Sequence, residues 1–120
     1  LRGCIGTFQP AYENLAQEIQ NNALAAGLQD PRFPPVEATE LPFLVYSVDI
    51  LSEPEDCLQE DLNPRLYGVI VSSGGRRGLL LPDLDGVETV EQQLQIALQK
   101  AGISAREKYT MQRFEVKRYT

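Results

Sequence analysis

The 120-residue sequence predicts an α+β fold, with a mainly antiparallel sheet and two principal helices packed on it. Three observations carry this expectation. Two stretches, "AYENLAQEIQNNALAAGL" and "TVEQQLQIALQKA", repeat apolar residues at helical spacing. Short β-rich runs lie before, between and after them. One pair of these runs, in "YGVIVSSGGRRGLLLP", is joined through a glycine-bearing turn, the mark of a hairpin and not of a parallel crossover. The order β-α-β-ββ-α-β with a hairpin at its centre belongs to the α+β class.

Each element has its own local reason. "LRGCIGTF" at 1–8 reads as a strand, with Cys4 and Ile5 on opposite faces and Gly3 and Gly6 leaving the backbone bare. Two glycines so close together suggest a bulge or a close approach by another group. The first helix is expected from about residue 12, with apolar positions 12, 15, 16, 19, 23 and 26, and Gly27 placed to end it. "QDPRFPPVEATELP" is a proline-punctuated connection of turns. "FLVYSVDIL" reads as a strand with Leu44, Tyr46, Val48 and Ile50 on one face, and "SEPEDCLQEDLNPR" as a mobile acidic loop. After the hairpin, Thr89 and Gln92 have capping-box spacing for a second helix, which buries Val90, Leu94, Ala97, Leu98 and Ala101 and stops at Gly102. "MQRFEVKRY" closes the sheet as a strand alternating charge with Phe114 and Val116.

Composition narrows the function classes. The net charge of −6 argues against general nucleic-acid binding, which draws on clustered Lys and Arg. Charge is uneven: residues 1–61 hold 11 acids against Arg2 and Arg32, whereas 100–120 hold six bases against Glu107 and Glu115. That basic tail reads as a solvated strand face or as a surface for an acidic partner. There is no histidine, which removes the usual general base and the commonest metal ligand, so no metal site is expected. Cys4 and Cys57 are the only cysteines, and two thiols without a CxxC pattern point to a reducing, cytoplasmic compartment. No apolar run reaches the ~18 residues that suggest a membrane span. "SSGGRRG" lacks the order and the GK[ST] of a phosphate-binding loop, and Asp83 and Asp85 read as turn residues.

Three stretches stand out together: "RGCIGT" at 2–7, "DPRFPP" at 30–35 and "RRGLLLP" at 76–82, with the terminal "RFEV". With these the chain resembles, over essentially its whole length, the AMMECR-type domain family, called AmmeMemoRadiSam system protein A in prokaryotes. The resemblance implies one domain over 1–120 that lacks the family's N-terminal segment. It also implies association with Memo-like and radical SAM proteins, and marks Arg2, Gly3, Cys4, Ile5, Gly6 and Thr7 as the functional hexapeptide. No cofactor is implied.

Geometry adds a separate expectation. A strand from Leu1 to Thr7 advances roughly 20 Å, and a helix from about 12 to 27 returns ~24 Å. "DPRF" then lands beside Leu1–Arg2, and Arg2 and Arg32 approach one another with Asp30 between them. Two guanidiniums can grip a small anion bidentately; alternatively, Arg32 pairs with Asp30 and pins the turn. Cys4 is the candidate catalytic nucleophile, with Arg2 the candidate cation beside it, or else a small buried strand residue. The reading ranked first is an accessory or binding component with a small-anion site around the hexapeptide. An enzyme acting on a small anionic substrate through Cys4 and Arg2 is the alternative. A first strand without a hairpin partner also predicts an open sheet edge and self-association.

Overall fold

The computed structural model describes residues 1–120. The chain forms two compact units, Leu1–Val48 with Thr120, and Asp49–Tyr119.

In the first unit the sole α-helix is α1 (Leu15–Leu28), followed by a 3-10 helix over Ala38–Phe43. Asn14 caps α1 by accepting from the Gln17 amide at 2.9 Å, a cap of the ordinary Asx kind. The helix runs through Gly27 and ends at Gln29, whose amide donates to the Ala25 carbonyl. Gly27 is used differently: its carbonyl accepts from the Val36 amide at 2.8 Å and ties the proline-rich connection to the helix end. The apolar positions at helical spacing are largely open, with Tyr12, Leu15, Ala16 and Ala23 exposed. The buried residue of α1 is Glu18.

Residues 1–8 are not a strand; they join no ladder. Cys4 shows why. Its amide donates to the Asp30 carboxylate and its carbonyl accepts from the Arg32 guanidinium, so both backbone groups a ladder would use are taken by side chains. The open strand edge from which self-association was expected is therefore absent. The strand expected over 43–51 is also shortened, to β1 (Val48–Leu51) at the boundary of the units. Ahead of it the Leu44 amide turns back to the Leu41 carbonyl, ending the 3-10 helix that occupies its first residue.

The second unit holds β2 (Glu55–Asp56), β3 (Gly68–Ser73), β4 (Arg76–Leu80), α2 (Val90–Ala101), β5 (Thr110–Phe114) and β6 (Val116–Tyr119). Its main sheet has the order β2-β5-β3-β4, all antiparallel, while β6 pairs with β1. The acidic loop is thus anchored: β2 pairs with β5, and Arg113 bridges Glu55 and the Asp61 carbonyl. The expected last strand is broken at Glu115, whose amide and carbonyl both bond to Ser52 and carry the chain from one sheet to the other.

The hairpin β3–β4 closes through Gly74–Gly75, with Ser73 opposite Arg76 and Gly74 at φ +60°, a backbone that glycine adopts freely. Helix α2 matches its expected limits. Thr89 and Gln92 form the capping box, and Gly102 ends the helix in the left-handed region. Leu94, Ala97 and Leu98 pack on Val69, Val71 and Leu80 to make the core, each large apolar side chain contributing about 1.5–3 kcal/mol on burial. Gly78 permits this packing, because a Cβ there would run into the Ala97 carbonyl and come within 2.9 Å of the Ala101 Cβ. No helix is long and apolar enough to cross a membrane.

Candidate functional site

All eight site residues expected from sequence, Arg2–Thr7 with Asp30 and Arg32, lie in the first unit. The connection after α1 comes back onto the start of the chain, but Asp30 and Arg32 meet Cys4 there and not Leu1–Arg2, the place expected from a strand over 1–7. Three carboxylates then fix the segment.

Asp30 is buried at the centre. One of its oxygens accepts from the Arg32 amide and Nε, both at 3.0 Å, and the other from the Cys4 amide at 3.0 Å and Arg32 Nη2 at 2.7 Å. Those bonds, Arg32's first and that of the Cys4 amide next, hold the Asp30 carboxyl well below its ordinary value. Arg32 Nη2 also reaches the Cys4 carbonyl at 3.2 Å. Arg32 is held above its ordinary value first by its hydrogen bonds to Asp30, against the cost of burial.

Glu40 receives Arg2. Nε donates to Oε1 at 2.8 Å and Nη2 to Oε2 at 3.1 Å, while Nη1 and Nη2 donate to the Pro34 and Pro35 carbonyls. Arg2 first, and then the Glu37 amide, lower the Glu40 carboxyl to about 2. Glu18 closes the far end. It accepts from Thr7 Oγ1 at 2.6 Å, Tyr12 N at 2.7 Å and the Ala11 amide, and Thr7 also accepts from Asn22 Nδ2. These contacts, Thr7's first, lower the Glu18 carboxyl.

Arg2 and Arg32 are therefore each met by a carboxylate of their own, and every nitrogen of the Arg2 guanidinium is engaged. Arg32, not Arg2, stands beside Cys4. Cys4 is an exposed free thiol, contrary to its reading as a buried strand residue. Ile5, Gly6 and Phe8 are exposed with it. Gly3 lies against α1, where a Cβ would collide with the Ala26 carbonyl, whereas a Cβ at Gly6 would meet nothing within 4 Å. Cys57 lies in the second unit, and burial first of all pushes its thiol up. No three side chains among Cys, Asp and Glu converge as metal ligands.

Sequence reasoning missed Glu18, Asn22 and Glu40. Glu18 had one local signal, an acid in the first turn of an otherwise apolar and amide-rich helix, where it also meets the positive end of the helix dipole. Glu40 had none, because its partner lies 38 residues away.

The AMMECR1 family model matches residues 1–120. A protein of Thermotoga maritima is 57% identical over 121 residues, covering 99% of this chain and 70% of that protein. One of Clostridium acetobutylicum is 55% identical over 119 residues, but the chain spans 25% of its length. Among solved structures, an uncharacterised protein from Pyrococcus horikoshii shares the fold with a TM-score of 0.85 at 30% identity, over 98% of this chain and 63% of that one.

Proposed function

Because this chain belongs to the AMMECR1 family, we propose that it is a binding component of a multi-protein system that includes Memo-like and radical SAM proteins, acting in the cytoplasm. The contact surface is the segment Cys4–Phe8. One observation supports this above the rest: the segment is tied at Arg2, Cys4, Thr7 and Ala11–Tyr12 by buried or half-buried carboxylates, yet Cys4–Gly6 and Phe8 face outward. A stretch pinned at its ends loses little conformational freedom on binding, so more of the contact energy appears as affinity. The small-anion site belongs to the same reading at Arg32, whose Nε and Nη2 are engaged by Asp30 and Cys4. Nη1 is the edge left for a ligand.

Titration calorimetry with the Memo-like and radical SAM proteins of the same organism tests the reading. Saturable binding, abolished by a bulky maleimide on Cys4, is expected. Absence of binding to either protein overturns it.

The enzymatic alternative retains one specific support, an exposed Cys4 thiol on the residue whose backbone carbonyl the Arg32 guanidinium holds. In that reading Cys4 is the nucleophile and Arg32 takes the role first expected of Arg2. Alkylation of Cys4 that is fast below pH 7 and slowed by Arg32→Gln favours it; slow alkylation in both proteins removes it.

A further inference from the structure

Two adjoining hollows of about 560 and 570 Å³ open beside α2, lined by residues of the second unit alone. Gln59 and Glu91 border both, which makes them one groove. Glu91, Gln95 and Gln99 form its rim on α2 at i, i+4 spacing, a run of ~12 Å along the helix. The core side chains Leu62, Leu94, Leu98 and Ile103 make its floor. A further wall is the 3-10 turn Gln59–Asp61 with Leu58 ahead of it. That wall is held in place: Asp61 Oδ2 accepts from the Leu58 amide at 2.9 Å, and Arg113 Nη1 donates to the Asp61 carbonyl at 2.8 Å. Leu58 is left 62% exposed in the same hollow that Glu60 and Glu91 line. Both carboxylates are exposed, and neither has an ion pair or a side-chain hydrogen bond.

We propose that this groove docks an amphipathic helix of a partner protein, whose apolar face covers Leu58 and the floor and whose Lys or Arg side chains meet Glu60 and Glu91. Charge selects the cation. Residues 53–61 hold five acids and no base, and the Arg113 that reaches them is already paired with Glu55. Such a field repels nucleic acid and anionic lipid. Shape argues against a small molecule, because the groove is open along its length and a small ligand is held by burying most of its surface. Secondary structure argues against an extended peptide. No strand edge lines the groove, so an extended peptide would leave its own N–H and C=O groups unpaired, whereas a helix brings them already satisfied. A second copy lacks the right helix: α1 has no basic residue, and the one base of α2, Lys100, donates to the Leu79 carbonyl.

Fluorescence anisotropy tests the groove with a labelled helical peptide that carries leucines at i, i+4 spacing and a pair of lysines. The same peptide with glutamates for the lysines is its control. Glu60→Gln with Glu91→Gln removes the groove's carboxylates, and Glu13→Gln with Glu53→Gln removes equal charge from exposed positions that do not line it. The expected result is saturable binding of the lysine peptide, weakened roughly fivefold or more by the first pair and little changed by the second. Leu58→Ser, a change at an exposed side chain, weakens it as well at an unchanged melting temperature. Amide shifts in NMR fall on Glu91, Gln95 and Gln99. Equal weakening by the two pairs, equal binding of the glutamate peptide, no saturable binding, or amide shifts away from the groove each overturns the proposal. Concentration-dependent dimerisation in light scattering that shifts the same amides makes a second copy the occupant, and overturns it too.

Discussion

A methyl group added at Gly3 and one added at Gly6 meet opposite surroundings, although both glycines sit in one six-residue motif. At Gly3 it collides with the Ala26 carbonyl of α1, a backbone atom that cannot move without moving the helix. At Gly6 it points into open space. Gly3→Ala is expected to cost about 1–3 kcal/mol by forcing the segment off the helix, and Gly6→Ala to stay within about 0.5 kcal/mol. Urea unfolding of the two variants measures the difference, and equal costs would refute the assigned roles. The glycines were legible in sequence as sites of close approach; which of the two faces the protein itself was not, because that depends on where α1 returns.

At the scale of elements, α2 and α1 show what a sequence reveals. Helix α2 carries its own instructions. The Thr89–Gln92 box, the stripe Leu94–Ala97–Leu98 and Gly102 are local signals, and all three stand where expected. Thr89→Ala is accordingly expected to cost about 1 kcal/mol, read as a lowered urea midpoint at unchanged slope. Segment 1–8 and α1 are different, because their partners are carboxylates far off in sequence. Strand propensity at 1–8 loses to Asp30 and Arg32, which take the Cys4 backbone groups. This gives the N-terminal unit a pH signature. Glu18, Asp30 and Glu40 all have carboxyls lowered by folding. A lowered carboxyl stabilises fully above its unfolded value and loses that contribution as pH falls through the folded one. For Glu40 the window runs from 4.5 down to about 2. The hold of Glu40 on Arg2 and on the Glu37 amide should therefore loosen over that interval, followed by amide shifts at these residues in NMR titration. Glu40→Gln should remove part of the dependence; an unchanged titration would contradict the clamp.

Across the whole molecule, the buried apolar residues all belong to the second unit, from Leu62 to Phe114, while the buried residues of the first unit are Glu18 and Asp30. One unit is held by a hydrophobic core and the other by charged hydrogen bonds, so their local stabilities should differ. Amides of Val69, Ile70 and Val71 are expected to exchange far more slowly than those within α1, and equal protection would show that the first unit has a stronger source of stability than its carboxylates. The fold class was legible from pattern; the division into two differently stabilised units was not, since hydropathy alone marked α1 as a core helix.

The central claim is that the pinned segment Cys4–Phe8 is a contact surface, and Gly6 tests it most directly, because its side of the chain touches nothing inside the protein. Calorimetric titration of the Memo-like and radical SAM proteins with wild type and with Gly6→Val measures binding with little interference from folding. Binding by the wild type that weakens roughly tenfold or more in Gly6→Val, at an unchanged melting temperature, is the predicted result. Equal affinity of the two proteins for the same partner would contradict it.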